Sequence, residues 1–205
     1  LRPDDRSRRG HFAAGGALWL VAADENRMTV VIVDDGNHAI DLSEEMDRSG
    51  SFTATRLGAP IESALSLPTV GGALCNDARL VDEGGNRFHP LCDPTEGALV
   101  VAAAKAGMQK QDLDSQFPRL QEIPFTSETK RMSTLHDTPE GRLVYSKGAP
   151  EVILSACSQY MDESGPVTLD ESSRRNILDA AHEMGSQALR VLAVASRPAE
   201  SIQEG

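Results

Sequence analysis

Along this chain, alternating apolar and polar residues trade places with runs of helical spacing, and the two periods predict different elements. The β-branched run from Met28, MTVVIVD, is expected to be a strand. SEEMDRSGSF, from Ser43, keeps no period and reads as a loop or frayed helix. Ile61 to about Cys75 predicts a helix, although Pro68 and the Gly71–Gly72 pair interrupt its apolar spacing. ARLVD, EGGN and RFHPL, over residues 78–91, read as a hairpin closed by a Gly-Gly turn. DPTEGALVVAAAKAG, residues 93–107, is the clearest helix. Asp93 is its expected N-cap, Pro94 its first helical residue and Glu96 its N3 glutamate, while Gly107 stops it. RLQEIPF, KRMSTLHD and RLVYSKG predict three strands, the last two joined by the turn TPEG. The short helix APEVILSAC follows, then a longer helix from Asp170 to about Gln187 and a final strand, LRVLAVASR. Strands joined by hairpins, with helices between them, predict an α+β fold: an antiparallel β-sheet flanked by helices.

The first 24 residues differ from the rest. LRPDDRSRRG is charged and punctuated by Pro and Gly, so residues 1–24 are expected to be a disordered or non-native arm. Residues 25–205 are left as one principal domain, long enough to enclose a core. The formal net charge of −11 argues against nucleic acid and anionic lipid as partners, so any anion site must be a local basic cluster. Cys75, Cys92 and Cys157 form no C-x-x-C pair and read as reduced thiols of a cytosolic compartment. The longest apolar run, AAGGALWLVAA from Ala13 to Ala23, is too short to span a bilayer. A signal peptide is its minor alternative reading. The chain is expected to be soluble, with no direct membrane contact.

Several chemistries fail on spacing. HEMGS opens like a zinc-protease helix at His182, but Ser186 holds the second histidine position. DDGNHAIDLSEE carries glycine where a calcium loop needs its second ligand. No G-x-S-x-G elbow, Walker A loop or G-x-G-x-x-G is present, so a nucleotide would have to be held without a phosphate-cradling loop.

The TPEG turn sets Met132 opposite Lys147 and Lys130 diagonal to Lys147 on one sheet face, roughly 7 Å away. Two such lysines repel unless an anion lies between them or both tips snorkel into water. Met132 is as readily a core residue. Phe125, beside the polar TSET turn, is a stacking platform for a base or ordinary edge packing. Glu96 is explained by helix capping alone, and Arg190 by pairing with the acidic helix before it.

DPTEGAL, PFTSETKRMS, YSKGAPE and LRVLAVA, in this order, resemble the nucleotide-binding domain of the P-type cation-transporting ATPases. CNDARL and ENRMTV are similar to segments of that family's large cytoplasmic loop, and the resemblance covers about residues 25–200. It is closest in character to the calcium, sodium/potassium and proton pumps, and it identifies residues 25–205 as the nucleotide-binding domain. The resemblance implies that Phe125 stacks on adenine and that Glu96 accepts from the exocyclic amine. It places Lys147 on the pocket floor, with Gly148 letting the base approach the backbone. It puts Lys130 nearer the phosphates and Arg190 at the ribose and phosphates, with Met132 and Thr95 lining the site. The implied ligand is ATP or ADP, with Mg2+ carried by the nucleotide. The implied partners are the phosphorylation and actuator domains of a membrane pump, from whose cytoplasmic side this monomeric unit would come. Two departures stand out. Ser127 occupies a position where many pumps carry arginine, a change that would either weaken phosphate contact or shift it to Arg131. The phosphorylation motif D-K-T-G-T is missing before ENRMTV, where residues 18–24 read LWLVAAD and Asp24 lacks the motif's context. The chain alone is therefore expected to hydrolyse nothing. The alternative is a regulatory or interaction module that kept the fold and lost nucleotide binding. A free-standing phosphotransferase is disfavoured, because neither nucleophile nor phosphate loop is found.

Overall fold

A computed structural model describes residues 17–24, 29–34, 39–41, 66–82, 88–91, 93–105, 108–162 and 165–203. The SEEMDRSGSF segment, the EGGN turn, Cys92, Gly107 and residues 1–16 lie outside the described residues.

The backbone of the molecule is a seven-stranded sheet in which every neighbouring pair runs antiparallel. In chain order its strands are β1 (Ala17–Asp24), β2 (Thr29–Asp34), β3 (Ala39–Asp41), β6 (Arg119–Ile123), β7 (Arg131–Thr138), β8 (Gly141–Gly148) and β11 (Leu189–Pro198). The spatial order is β3-β2-β1-β11-β8-β7-β6, so the last strand of the chain lies inside the sheet between β1 and β8. Two hairpins stand apart from it: β4 (Arg79–Asp82) with β5 (Phe88–Leu91), and β9 (Gln159–Asp162) with β10 (Gly165–Thr168). Five described helices complete the fold: α1 (Ser66–Leu74), α2 (Pro94–Lys105), α3 (Lys110–Gln116), α4 (Pro150–Ser155) and α5 (Glu171–Ser186).

Strand alternation divides the helices between the two faces of the sheet. Met132, Leu143 and Tyr145 pack with Ala73, Leu74, Cys75 and Ala103 beneath α1 and α2. Ala193 and Ala195 pack with Ile153, Leu154, Ile177, Ala181 and Met184 beneath α4 and α5. The α+β architecture of an antiparallel sheet flanked by helices is thus the observed one. Gly71, which breaks the apolar period, lies within α1, because a Cβ there would stand 2.9 Å from Tyr145 Cδ1 and 3.0 Å from Val194 Cγ1. The glycine lets the helix approach the sheet more closely than a side chain would permit.

The β7–β8 hairpin follows from its turn. Thr138 pairs with Gly141, and the Thr138 hydroxyl donates to the Gly141 carbonyl at 2.6 Å. Gly141 takes φ +116°, a conformation closed to most side chains. Helix α5 starts as its cap predicts, with Asp170 Oδ1 accepting from the Ser173 N–H at 2.7 Å. Several elements, the short strand β3 among them, depart from the sequence expectation. ALWLVAAD, read as the end of an arm, is strand β1, in register with β11 from Ala17↔Ser196 to Asp24↔Leu189. Its charged upstream flank outweighed its own apolar run. Helix α3 buries Leu113 as its core contact and shows no apolar period, and the β9–β10 pair is four residues per strand.

Beneath α1, His136 is fully buried. Its Nδ1 stands 2.8 Å from the Phe117 carbonyl, which only accepts, so Nδ1 carries the proton and Nε2 accepts from Thr134 Oγ1 at 2.9 Å. Burial holds this imidazole below its ordinary value of 6.5; the Phe117 carbonyl opposes the shift and the Arg119 charge adds to it. A depressed folded-state value means that the unfolded chain binds the proton more readily. The stabilisation is present above the unfolded value and is lost as pH falls from 6.5 toward the folded one. Urea midpoints measured between pH 7.5 and 5.5 are expected to fall for this protein and to fall less for His136→Gln. The difference in slope is at most about 1.4 kcal/mol per pH unit; identical slopes would remove His136 as the cause.

Candidate functional site

Helix α2 begins beside the sheet face that carries Lys147. Asp93 Oδ1 accepts from the Thr95 N–H at 2.8 Å, as its N-cap role predicts. Burial would raise the Asp93 carboxyl, but hydrogen bonds from Thr95 and Glu96, with the Arg190 charge, hold it below its ordinary value. Thr95 is therefore tied into the helix start.

Glu96 does not behave as a capping glutamate. Its Oε1 lies 2.5 Å from Lys147 Nζ and its Oε2 accepts from the Asp77 N–H at 3.3 Å. Both carboxylate oxygens are thus spent on neighbours from other elements. Lys147 is 6% exposed, far below what a snorkelling lysine would show. It stands opposite Met132 in register, as the turn predicts. The Met132 side chain is buried in the cluster beneath α1.

Lys130 is placed otherwise than expected. Strand β7 starts one residue later, at Arg131, and Lys130 takes φ +50° at the end of the TSET turn. Its N–H donates to the Thr126 carbonyl at 2.8 Å and its own carbonyl accepts from Ala149 N–H at 3.0 Å. A left-handed residue breaks the strand's alternation, so the diagonal approach to Lys147 is not made. The ammonium instead faces Glu151 at 3.8 Å, an exposed pair of small energetic weight. The expectation of two lysines repelling across one face is corrected: each has its own carboxylate. The same turn leaves Phe125 exposed at 59%, just beyond the edge strand β6, whose own residues are exposed or half-buried. Ser127, within the turn, is exposed, and Arg131, just after it, is half-buried.

Gly148 has a packing reason beyond the one expected for it. A Cβ there would stand 2.3 Å from the Lys130 carbonyl oxygen and 2.9 Å from Arg131 Cα. Arg190 lies on β11, opposite Ala23 and on the same face as Val194, which pairs with Lys147. The structure therefore brings Thr95, Glu96, Met132, Lys147 and Arg190 to one face, with Phe125 and Lys130 at the nearby strand ends. On the other face, Pro150, Leu178, Ala181, His182, Leu189 and Val191 help line an open cavity of about 690 Å³ that contains none of the expected site residues.

Sequence reasoning missed three residues that hold this arrangement. Asn76 is fully buried; its amide donates to the Gly72 carbonyl at 3.1 Å and the Glu96 carbonyl at 2.9 Å, and its Oδ1 accepts from the Ala78 N–H at 2.7 Å. Asp77 supplies the N–H described above. Arg119 binds the Asp77 carboxylate at 2.7 Å and the Glu122 carboxylate at 2.6 Å. The signal available was CND lying between a helix and a strand, where a side-chain amide or carboxylate commonly ties off the turn.

Among the described residues no helix is long and apolar enough to cross a membrane, and no cluster of three metal-ligating side chains occurs. The profile of the family described as P-type ATPase, cytoplasmic domain N, matches residues 69–204. The chain is 39% identical over 201 residues to a cation-transporting ATPase of Synechocystis sp., covering 90% of this chain and 22% of that protein. It is 40% identical over 131 residues to a probable cation-transporting ATPase F of Mycobacterium tuberculosis, covering 64% and 14%. A calcium-transporting ATPase of Bacillus subtilis is 32% identical over 179 residues, covering 85% and 20%. The chain spans at most 22% of the length of these three relatives. With the sheet, the flanking helices and the matched segments in agreement, the chain belongs to the P-type cation-transporting ATPases and carries their N domain.

Proposed function

We propose that this chain is the ATP-holding unit of a cation-transporting pump, gripping an adenine nucleotide on the face that carries Lys147. The observation that carries this reading is a buried ammonium, Lys147, spent on a partly exposed carboxylate, Glu96, with an exposed aromatic, Phe125, just beyond strand β6 of the same sheet. Phe125 stacks on adenine, Glu96 presents an acceptor to the exocyclic amine, and Thr95, Met132 and Gly148 shape the wall. Arg190 and Lys130 meet the ribose and phosphates, Lys130 by exchanging its weak Glu151 partner for a phosphate. Magnesium arrives with the nucleotide. In the intact pump this cytoplasmic unit carries the terminal phosphate to an aspartate in the phosphorylation domain, with the actuator domain as a further partner. Its contribution is positioning and charge, with no covalent chemistry of its own. As a separate monomer it binds ATP or ADP with a dissociation constant on the order of 0.1 to several mM.

Titration of the chain with ATP, ADP and GTP, followed by two-dimensional NMR, tests this reading. Shifts concentrated at Glu96, Phe125, Lys130 and Gly148, stronger for ATP than for GTP, are expected. Phe125→Ala leaves the melting temperature in place, because the ring is largely exposed, and weakens ATP and ADP by one common factor. A stacked base contributes about 1–3 kcal/mol, so that factor lies between roughly 5 and 150. Unequal losses for ATP and ADP would contradict the stack. Silence at several millimolar ATP would favour the second reading, an interaction module that has lost nucleotide binding. Ser127 and the Lys130–Glu151 pair, which leave the phosphate end poorer in cations, are the observations behind that second reading.

A further inference from the structure

Arg119 lies on β6, six positions before Phe125, yet its guanidinium serves a different part of the fold. Nη2 donates to the Leu74 carbonyl at 3.1 Å and the Asn76 carbonyl at 2.7 Å, and Nη1 reaches Asp77 and Glu122. Leu74 is the last residue of α1, so this arginine also occupies a carbonyl that the helix leaves without a partner. A register shift in β6, with Arg119 opposite His136 and Gln121 opposite Leu135, sets Leu120 outside the ladder. Bulges of this kind re-aim a neighbouring side chain, and here the re-aimed one is Arg119.

The turn that Arg119 grips is the turn that grips Glu96. Asn76 binds the Glu96 main-chain carbonyl and Asp77 N–H binds its Oε2, while Lys147 takes Oε1. One guanidinium therefore ties the strand leading to Phe125 to the residues that orient the Glu96 carboxylate. Four acceptors in a planar fork leave it little freedom, a geometry that a lysine cannot reproduce.

We propose that Arg119 is a positioning residue that sets where the Glu96 carboxylate stands relative to Phe125, and thereby selects adenine over guanine. This inference rests on the adenine-nucleotide reading above. Adenine offers an amine donor at the edge where guanine offers a carbonyl acceptor, so a fixed carboxylate accepts from the first and repels the second. Arg119 itself touches no ligand; it acts through Asn76 and Asp77.

The test compares the unsubstituted chain with Arg119→Gln and Arg119→Lys. Dissociation constants for ATP and GTP are measured by NMR titration, and hydrogen exchange at the Asp77 amide is followed without nucleotide. In Arg119→Gln, ATP is expected to weaken about 3- to 10-fold while GTP changes less than about 2-fold, so the ATP-to-GTP preference collapses. Arg119→Lys, should the glutamine variant fail to fold, recovers less than half of that preference. The Asp77 amide exchanges at least about 10-fold faster in both variants. Equal losses for the two nucleotides, the mark of a merely structural arginine, would overturn the proposal, as would an unchanged preference or an unchanged Asp77 amide. If the unsubstituted chain bound neither nucleotide, the nucleotide reading itself would fall, and the selectivity with it. If instead it bound ATP with no preference to lose, the proposal alone would fail.

Discussion

Lys147→Met is expected to lower the stability of this domain by about 2–3 kcal/mol. The physical cause is the carboxylate it leaves behind. Lys147 Nζ stands 2.5 Å from Glu96 Oε1, with the lysine side chain 8% exposed and the glutamate 19%. Removing one partner of a buried pair costs about 3–5 kcal/mol because the other charge stays desolvated. Glu96 keeps some access to water and keeps the Asp77 N–H, which places the expected loss at or just below the bottom of that range. The methionine preserves most of the lysine stem, so loss of packing is small. In urea unfolding followed by circular dichroism, Lys147→Met should shift the midpoint down with an unchanged slope. Adding Glu96→Gln should then recover more than half of the loss, because the uncompensated charge is gone. A midpoint that does not move would mean that the pair contributes nothing to the fold and that Lys147 is held for its ligand alone. ATP should weaken in the single variant as well, since the carboxylate loses one of its two anchors.

Gly148→Ala is expected to cost at least about 3 kcal/mol, at the upper edge of what over-packing usually brings. Strand β8 is flanked by β7 on one side and β11 on the other, so Gly148 pairs with both Arg131 and Ala193. The added methyl would stand 2.3 Å from a backbone oxygen, that of Lys130, and no rotamer change can move it. The Lys130 carbonyl is itself engaged with the Ala149 N–H, so yielding there breaks a hydrogen bond. Gly185→Ala is the matched control, because nothing lies within 4 Å of its added methyl and it sits in α5. That exchange should stabilise by about 0.5–1 kcal/mol, as alanine is the better helix residue. Should both variants behave alike in thermal unfolding, close packing at Gly148 would be refuted. The glycine of KGAPE thus has a structural duty that holds whether or not a base lies over it.

Both predictions concern residues that the sequence singled out, but for reasons the structure redistributes. What was legible in the sequence was local. Asp93 with Pro94 announced α2, Asp170 announced α5, and Thr138 to Gly141 announced the β7–β8 hairpin, because caps and tight turns are satisfied by residues a few positions apart. The Met132–Lys147 register followed from that two-residue turn without further information. Where the local signal was weak, elements were missed: α3 offers one buried leucine, and ALWLVAAD was read with the charged residues before it.

Who partners whom was decided only by the tertiary structure. Glu96 could cap its own helix at no distance, yet it pairs with a lysine 51 positions away. A desolvated ammonium needs an anion, and that need exceeds what a capping hydrogen bond supplies. Lys130 follows strand spacing in the sequence, but the TSET turn closes with it in a left-handed conformation, and the periodicity ends there. Arg119 reads as one charge in a strand, and only the packing of β6 beside the end of α1 sets its guanidinium against residues 74–77. Caps, turns and alternation depend on neighbours along the chain and are written there. Ion pairs and buried polar networks depend on which groups folding removes from water together, and that is known only once the sheet and its helices have closed.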